Sequence, residues 1–287
     1  MTTSRVWLIT GASAGIGLDL AKIAASRGDR VIAASRSPHK LTGIAGITAA
    51  RLDHNEPLPQ VQAAIDAIIN IYGTVDIVVN NAAYVQSGTV EETTPEETQK
   101  QFQANTFGPI NVYRAVLPHL RAKRSGTLLT IGSMAAWYPM NSCNLYNASK
   151  AALRWLVIGL ADEVRPFGVR HCLVEPGFFR TDLLKPGSNF GATTTETRIA
   201  DYADINRAAD DAFANFHGAQ LGDPVKGAQI LYDVITSSGV AAGRDLPGFL
   251  PLGSDASAVI AKAAKKTVAD IEEWADIAAQ SDYPEGK

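Results

Sequence analysis

A short apolar run, a glycine-rich turn and an amphipathic helix follow one another at the start of this chain, and that order leaves few folds open. Val6-Trp7-Leu8-Ile9 reads as a buried strand, Thr10-Gly11-Ala12-Ser13-Ala14-Gly15-Ile16-Gly17 turns the chain, and Ile16, Leu20, Ile23 and Ala24 recur at helical spacing. Backbone N–H groups at such a helix N-terminus, aided by the helix dipole, bind a pyrophosphate, and residues without a Cβ let it come close. The unit therefore predicts a dinucleotide site built on Gly11, Ser13, Gly15, Ile16 and Gly17. The spacing is Gly-x3-Gly-x-Gly rather than the common Gly-x-Gly-x2-Gly, so glycines that serve only turn and packing stay open as a reading.

Strand and helix signals then alternate, which predicts an α/β fold: a Rossmann-type, doubly wound parallel sheet with helices on both faces. Strands are expected at Val31-Ile32-Ala33-Ala34, Ala49-Ala50-Arg51-Leu52, Val75 to Val79, Thr127 to Ile131 and Val169 to Val174. Helical patterns lie between them: Val61, Ile65, Ile68 and Ile69; a long one from Pro95 to Leu120 with Pro109 as its bend; and Tyr146 to Val164. With no linker rich in Pro and Ser, residues 1–287 are expected to form a single dinucleotide-binding and catalytic domain. The Thr-, Ala- and Asp-rich stretch at about 184–222 is the expected mobile substrate lid, Asp223-Pro224 starts another helix, and a C-terminal helical segment is expected at about 254–280.

Tyr146-Asn147-Ala148-Ser149-Lys150 is the segment with the clearest chemistry. A tyrosine and a lysine four apart on a helix project from one face, and an ammonium within ~4–6 Å of a phenol favours the phenolate, which fits general acid/base work. Tyr283 and Lys287 share the spacing, but Pro284, Gly286 and the terminal position argue for a frayed tail there.

Thr10 to Gly17, Asn80-Asn81-Ala82-Ala83, Asn105, Ser133, Tyr146, Lys150 and Pro176-Gly177 together resemble the short-chain dehydrogenase/reductases, over roughly residues 4–185. Leu250-Pro251-Leu252-Gly253-Ser254 and the helix after it resemble the hydroxysteroid-dehydrogenase-like members. The resemblance implies hydride transfer between a nicotinamide and a carbonyl or secondary alcohol. Tyr146 would be the proton donor and Ser133 a hydrogen-bond partner of the substrate oxygen. Lys150 would lower the tyrosine pKa and hold the nicotinamide ribose, and Asn105 would position a relay water. It also places Asn81 and Ala82 beside the cofactor, Pro176-Gly177 behind the nicotinamide and Thr181 on its carboxamide. Ala83 departs from the family's usual glycine, and Glu175 from the asparagine of many members; neither is expected to touch the chemistry.

At the end of the second strand, Ser35-Arg36, with His39 and Lys40 nearby, points to NADP(H), because an arginine there accepts a 2′-phosphate that an acid would repel. An exposed Arg36 without a ligand is the competing reading, and Ala14 stands where NADP-preferring relatives often place a second basic residue. Asp53 resembles the family's adenine-contacting aspartate and suits a plain turn equally well. Leu183, Leu184, Phe190, Trp137 and Phe178 suggest a pocket for a bulky apolar or aromatic ketone, and the same residues could only close the core. The expected activity is NADP(H)-dependent reduction of such a ketone. An NAD-dependent secondary-alcohol dehydrogenase and a non-enzymatic NADP-sensing protein are the alternatives.

A net charge of −3 gives no basic footprint for nucleic acid, and Arg121-Ala122-Lys123-Arg124 reads as a solvated helix end. No ~20-residue apolar span and no secretory h-region is visible, and Cys143 and Cys172 are too few for a disulfide framework, so a cytoplasmic protein is expected. No metal site is expected. A charged fraction of 19% hints at surface covered in a homo-oligomer, and the resemblance places a homodimer or homotetramer on the helices of Asn105 and Tyr146.

Overall fold

The computed structural model describes residues 4–184, 189–216 and 218–283. The chain runs β1 (Val6–Thr10), α1 (Gly15–Ser26), β2 (Arg30–Ser35), β3 (Ile47–Arg51), α2 (Leu58–Tyr72), β4 (Ile77–Asn80) and β5 (Val85–Ser87). Next come α3 (Pro95–Phe102), α4 (Gly108–Lys123), β6 (Gly126–Ile131), α5 (Asn144–Val164) and β7 (Val169–Pro176). It ends with β8 (Phe190–Ala192), α6 (Ala203–Phe216), α7 (Pro224–Thr236), β9 (Phe249–Leu252) and α8 (Ser254–Ala278).

Seven strands form one parallel sheet in the order β3-β2-β1-β4-β6-β7-β9. Because successive strand side chains point to opposite faces, the apolar runs feed two cores. Leu8, Ile32, Val78, Leu128 and Leu173 meet α2, α4 and α5 through Ile65, Val116 and Val157. Their neighbours Trp7, Val31, Val79, Leu129 and Cys172 meet α1 and α7 through Leu20, Ala24 and Leu231. The strand order reverses at β1, which pairs with β2 on one side and β4 on the other, so a crevice opens beyond the carboxyl ends of the strands there.

Several expected boundaries move. β3 starts at Ile47 and ends at Arg51, β4 starts at Ile77, and β7 runs on to Pro176. The long helix from Pro95 breaks. Pro109 has no N–H for the carbonyl of Asn105, four residues back, and a π turn over Gln103–Phe107 separates α3 from α4. Asn105 thus sits in the π turn and not in a regular helix.

Phe249–Leu252 adds a seventh strand that no periodicity announced, because it is short and carries Pro251. The basic helix end is not simply solvated: Lys123 bonds Asp76, Thr74 and the Val75 carbonyl. Asp223 caps α7 as its sequence implies, accepting from the N–H groups of Val225 (2.9 Å) and Lys226 (3.2 Å).

Described parts of the stretch expected as a mobile lid contact the rest of the chain. β8 pairs with β5, and the buried Glu92 accepts from Ile199 N at 2.8 Å and from Asn206 Nδ2 at 2.7 Å. Residues 185–188 and 217 of that stretch, and Lys287 of the second Tyr–Lys pair, lie outside the described residues. Among the described residues no helix is long and apolar enough to cross a membrane, no acidic, His or Cys cluster could hold a metal, and Cys143 and Cys172 are free and buried.

His171 of β7 is buried beside Thr130 and edge-on to Tyr113, and burial holds its pKa down at about 4 against an ordinary 6.5. Its folded-state pKa is depressed, so the unfolded chain takes up the proton first, and stability falls as pH drops from about 6.5 to about 4. The full effect is on the order of 3 kcal/mol for this residue. We expect the urea midpoint to fall across that window and His171→Gln to flatten the fall; an equally steep fall in the variant would show that other groups carry it.

Candidate active site

The turn between β1 and α1 presses against the loop that follows β4. Gly11 has φ +62°, and a Cβ there would meet Ala82 Cα at 2.6 Å, so both its conformation and its neighbour demand glycine. A Cβ on Gly17 would meet Asn81 Nδ2 at 2.3 Å. The Asn81 amide is needed in place: Nδ2 donates to the carbonyls of Thr10 (3.0 Å) and Gly11 (3.2 Å), while Thr10 Oγ1 accepts from the N–H groups of Asn81 and Ala82.

A cavity of about 500 Å³ opens over this turn. Gly11, Ser13, Gly15 and Ile16 line its floor, Ser35 and Arg36 one end, and Asn81 and Ala82 the wall. Ser133, Tyr146, Lys150, Pro176, Gly177 and Thr181 line the other end, so residues scattered over 170 positions of sequence converge.

Three predicted residues are not in the lining. Gly17 lies beneath it, packed on Asn81. Asp53 takes the turn role, its Oδ1 accepting from the backbone N–H and the side chain of Asn55, both at 3.0 Å. Asn105 is fully buried, and its amide fastens Tyr84 N (2.9 Å), Tyr84 O (2.8 Å) and Ser149 Oγ (3.1 Å).

A glycine-rich turn, backed by a helix N-terminus, and an arginine at the far end fit a dinucleotide. Arg36 already has a partner: its guanidinium donates to Asn189 Oδ1 at 3.0 Å, across from the insertion.

Tyr146 and Lys150 sit on the buried face of α5. The Lys150 ammonium donates to the Ile131 carbonyl at 2.9 Å, and Ser133, whose Oγ accepts from Ala135 N at 3.1 Å, hydrogen-bonds Tyr146. Burial pushes the Tyr146 phenol up to about 12, with the bond to Ser133 opposing, and pushes Lys150 down to about 8, with Glu175 opposing. Burial thus acts on the phenol in the direction opposite to the one the helical spacing suggested for Lys150.

The apolar end of the cavity is lined by Tyr138, Met140, Phe178, Leu183, Leu184 and Phe213. Trp137 and Phe190, expected there, are outside it. Trp137 packs with Met134, Ala256 and Ile260, and Phe190 stacks edge-on with Phe213 at 5.4 Å. Phe213 and Tyr138 carry no motif, so only the tertiary structure brings them in.

Asp255 is a further residue the sequence left unmarked. From the first turn of α8 its Oδ2 accepts from Phe178 N at 2.8 Å, while Gly177 N donates to Leu252 O of β9 at 2.9 Å. The last strand and helix thus hold the Pro176-Gly177-Phe178 loop against the cavity.

Fold and site define a nicotinamide-dependent oxidoreductase with a Ser-Tyr-Lys centre, and comparison with known proteins agrees. The profile of the short chain dehydrogenase family matches residues 5–190. A short-chain dehydrogenase structure from Streptomyces avermitilis superimposes with a TM-score of 0.86 at 32% identity, covering 98% of this chain and all of the other. Oxidoreductase BOA17 of Botryotinia fuckeliana is 29% identical over 97% of this chain and 99% of its own length. The 3-ketodihydrosphingosine reductase of Bacteroides thetaiotaomicron is 34% identical over 70% of this chain and 72% of its own. The chain belongs to the short-chain dehydrogenase family.

Proposed function

We propose that this oxidoreductase is an NADP(H)-dependent ketoreductase acting on a bulky apolar or aromatic ketone. The observation that carries the reading is the convergence of Ser133, Tyr146 and Lys150 at one end of the cavity, where a phenol can hand its proton to an incipient alkoxide. The reduced nicotinamide supplies the hydride when bound. Tyr146 Oη delivers the proton to the substrate oxygen, and the Ser133 hydroxyl, whose oxygen already accepts from Ala135 N, keeps its own hydrogen for that same oxygen. The Lys150 ammonium serves the nicotinamide ribose, and the Asn105 carbonyl is the acceptor through which a water would refill the proton. Gly11, Ser13, Gly15 and Ile16 take the pyrophosphate, with Asn81, Ala82, Pro176, Gly177 and Thr181 around the rest.

The substrate class follows from the apolar wall of Tyr138, Met140, Phe178, Leu183, Leu184 and Phe213, with residues of about 184–222 serving as lid. The relative named as a 3-ketodihydrosphingosine reductase supports a keto substrate. Two buried free thiols suit a reducing cytoplasm.

Tyr146→Phe is expected to keep NADPH binding and to lose reductase activity by at least ~10²–10⁴-fold, the range of a general acid. Lys150→Ala should in addition raise the KM for NADPH. Near-normal turnover by the tyrosine variant in a cofactor-absorbance assay over a panel of ketones would remove the mechanism, and turnover of any ketone by the wild type would remove the sensor reading.

Cofactor choice rests on Arg36 beside Ser35 at the cavity end. Losing one charge-assisted contact costs about 1.5–3 kcal/mol, so Arg36→Ala should lower the NADPH/NADH preference roughly 10- to 150-fold while leaving NADH nearly unchanged. A preserved ratio of kcat/KM values would assign Arg36 to Asn189 alone and favour the NAD-dependent alcohol dehydrogenase.

For assembly, Phe107 before α4 and Trp155 and Leu156 on α5 stand 53%, 69% and 47% exposed, an apolar face suited to a second copy of the chain. Sedimentation should show a homodimer or homotetramer at micromolar concentration, and Trp155→Asp should shift it toward monomer; a wild-type monomer would refute this.

A further inference from the structure

Tyr146, Lys150 and Arg154 follow at intervals of four on α5, so one helix face presents a phenol, an ammonium and a guanidinium in line. Glu175 of β7 faces this row. The register of β6 with β7 pairs Ile131 with Val174, which sets Glu175 beside Gly132, its Cγ 3.1 Å from where a Gly132 Cβ would stand. Gly132 in turn lies between Ile131, whose carbonyl receives the Lys150 ammonium, and Ser133.

The Glu175 side chain is fully buried. Its Oε2 lies 3.1 Å from the Arg154 guanidinium and accepts from the Trp137 indole, whereas Oε1 has no hydrogen-bond partner. Arg154 is itself clasped by rings, with Trp137 at 4.2 Å and Phe249 at 5.1 Å from its guanidinium carbon. A purely structural ion pair in such a place is commonly no better than apolar packing, and an orphaned carboxylate oxygen makes it worse. Its place against Gly132, next to the carbonyl that holds Lys150, supplies a reason for it.

We infer that Glu175, steered by Arg154 and Trp137, is a positioning residue that keeps Lys150 an ammonium inside the buried site and so sets the upper pH limit at which the site holds cofactor and works. The inference rests on the roles given to Lys150 and Tyr146 above. Burial and Glu175 act on the lysine in opposite directions, as the geometry requires. The groups to be reckoned with around Lys150 are Tyr146 and Arg154 on its own helix, Glu175 from β7 and His54 from the segment after β3; Tyr138 and Cys143 face Tyr146, and Arg36 and Asp53 face His54.

The test compares wild type, Glu175→Gln and the double variant Glu175→Gln/Arg154→Met, with NADPH affinity by fluorescence and kcat/KM for a ketone each measured from pH 6 to 10. In Glu175→Gln both alkaline limbs should move down by about one pH unit or more, a roughly tenfold loss above the limb. The shift should persist in the double variant, which stands in should the single variant not fold. Limbs that stay in place, or a shift that vanishes in the double variant, would reduce Glu175 to a partner of Arg154 and overturn the inference. Because NADPH binding needs no ketone, a wild type that reduces nothing would defeat the ketoreductase reading while this arm still decides the role of Glu175.

Discussion

The contact on which the site depends is the stitch between the two turns at the strand reversal. β1 and β4 are neighbours whose chains leave in opposite directions, and nothing in a parallel ladder by itself holds the loops beyond them together. Thr10 and Asn81 do so with side chain to backbone bonds in both directions, and Gly11 and Gly17 leave the room for them. A floor of backbone N–H groups results, with few side chains to obstruct a ligand. The remaining features of the cavity are walls around that floor.

Along α5 the dominant physical fact is burial. Phenol, ammonium and carboxylate are brought into one poorly solvated region, and each is moved toward its neutral form: the tyrosine and the glutamate up, the lysine down. Charges survive there only through one another. Glu175, a departure from the asparagine of many relatives and expected from the sequence to be neutral to the chemistry, is one of these groups.

Much of this was legible in the chain itself. The apolar runs name the sheet, and the glycine turn with the Ser133, Tyr146 and Lys150 spacing names residues that line the cavity, because each is a local pattern. What was illegible depends on contacts distant in sequence. Asp53 and Asn105 have side chains that suit several roles, and only their neighbours Asn55, Tyr84 and Ser149 decide between them. Trp137 looks like a pocket residue until Arg154 and Phe249 are placed on it. The strand at Phe249–Leu252 is too short to announce itself, and Asp255 reads as one more helix-start acid until Phe178 is seen across from it.

The clasp of Asp255 and Leu252 on the Gly177 loop also orders events in time. During synthesis β1 to β4, β6 and β7 emerge early and bury one another, so most of the sheet can assemble while the chain is still being made. The loop behind the reacting centre cannot take its final form until residues 77 positions further on have left the ribosome. The Gly177 loop is thus among the last parts of the cavity to be fixed, and a nascent or truncated chain that ends before Phe249 would leave it unclasped.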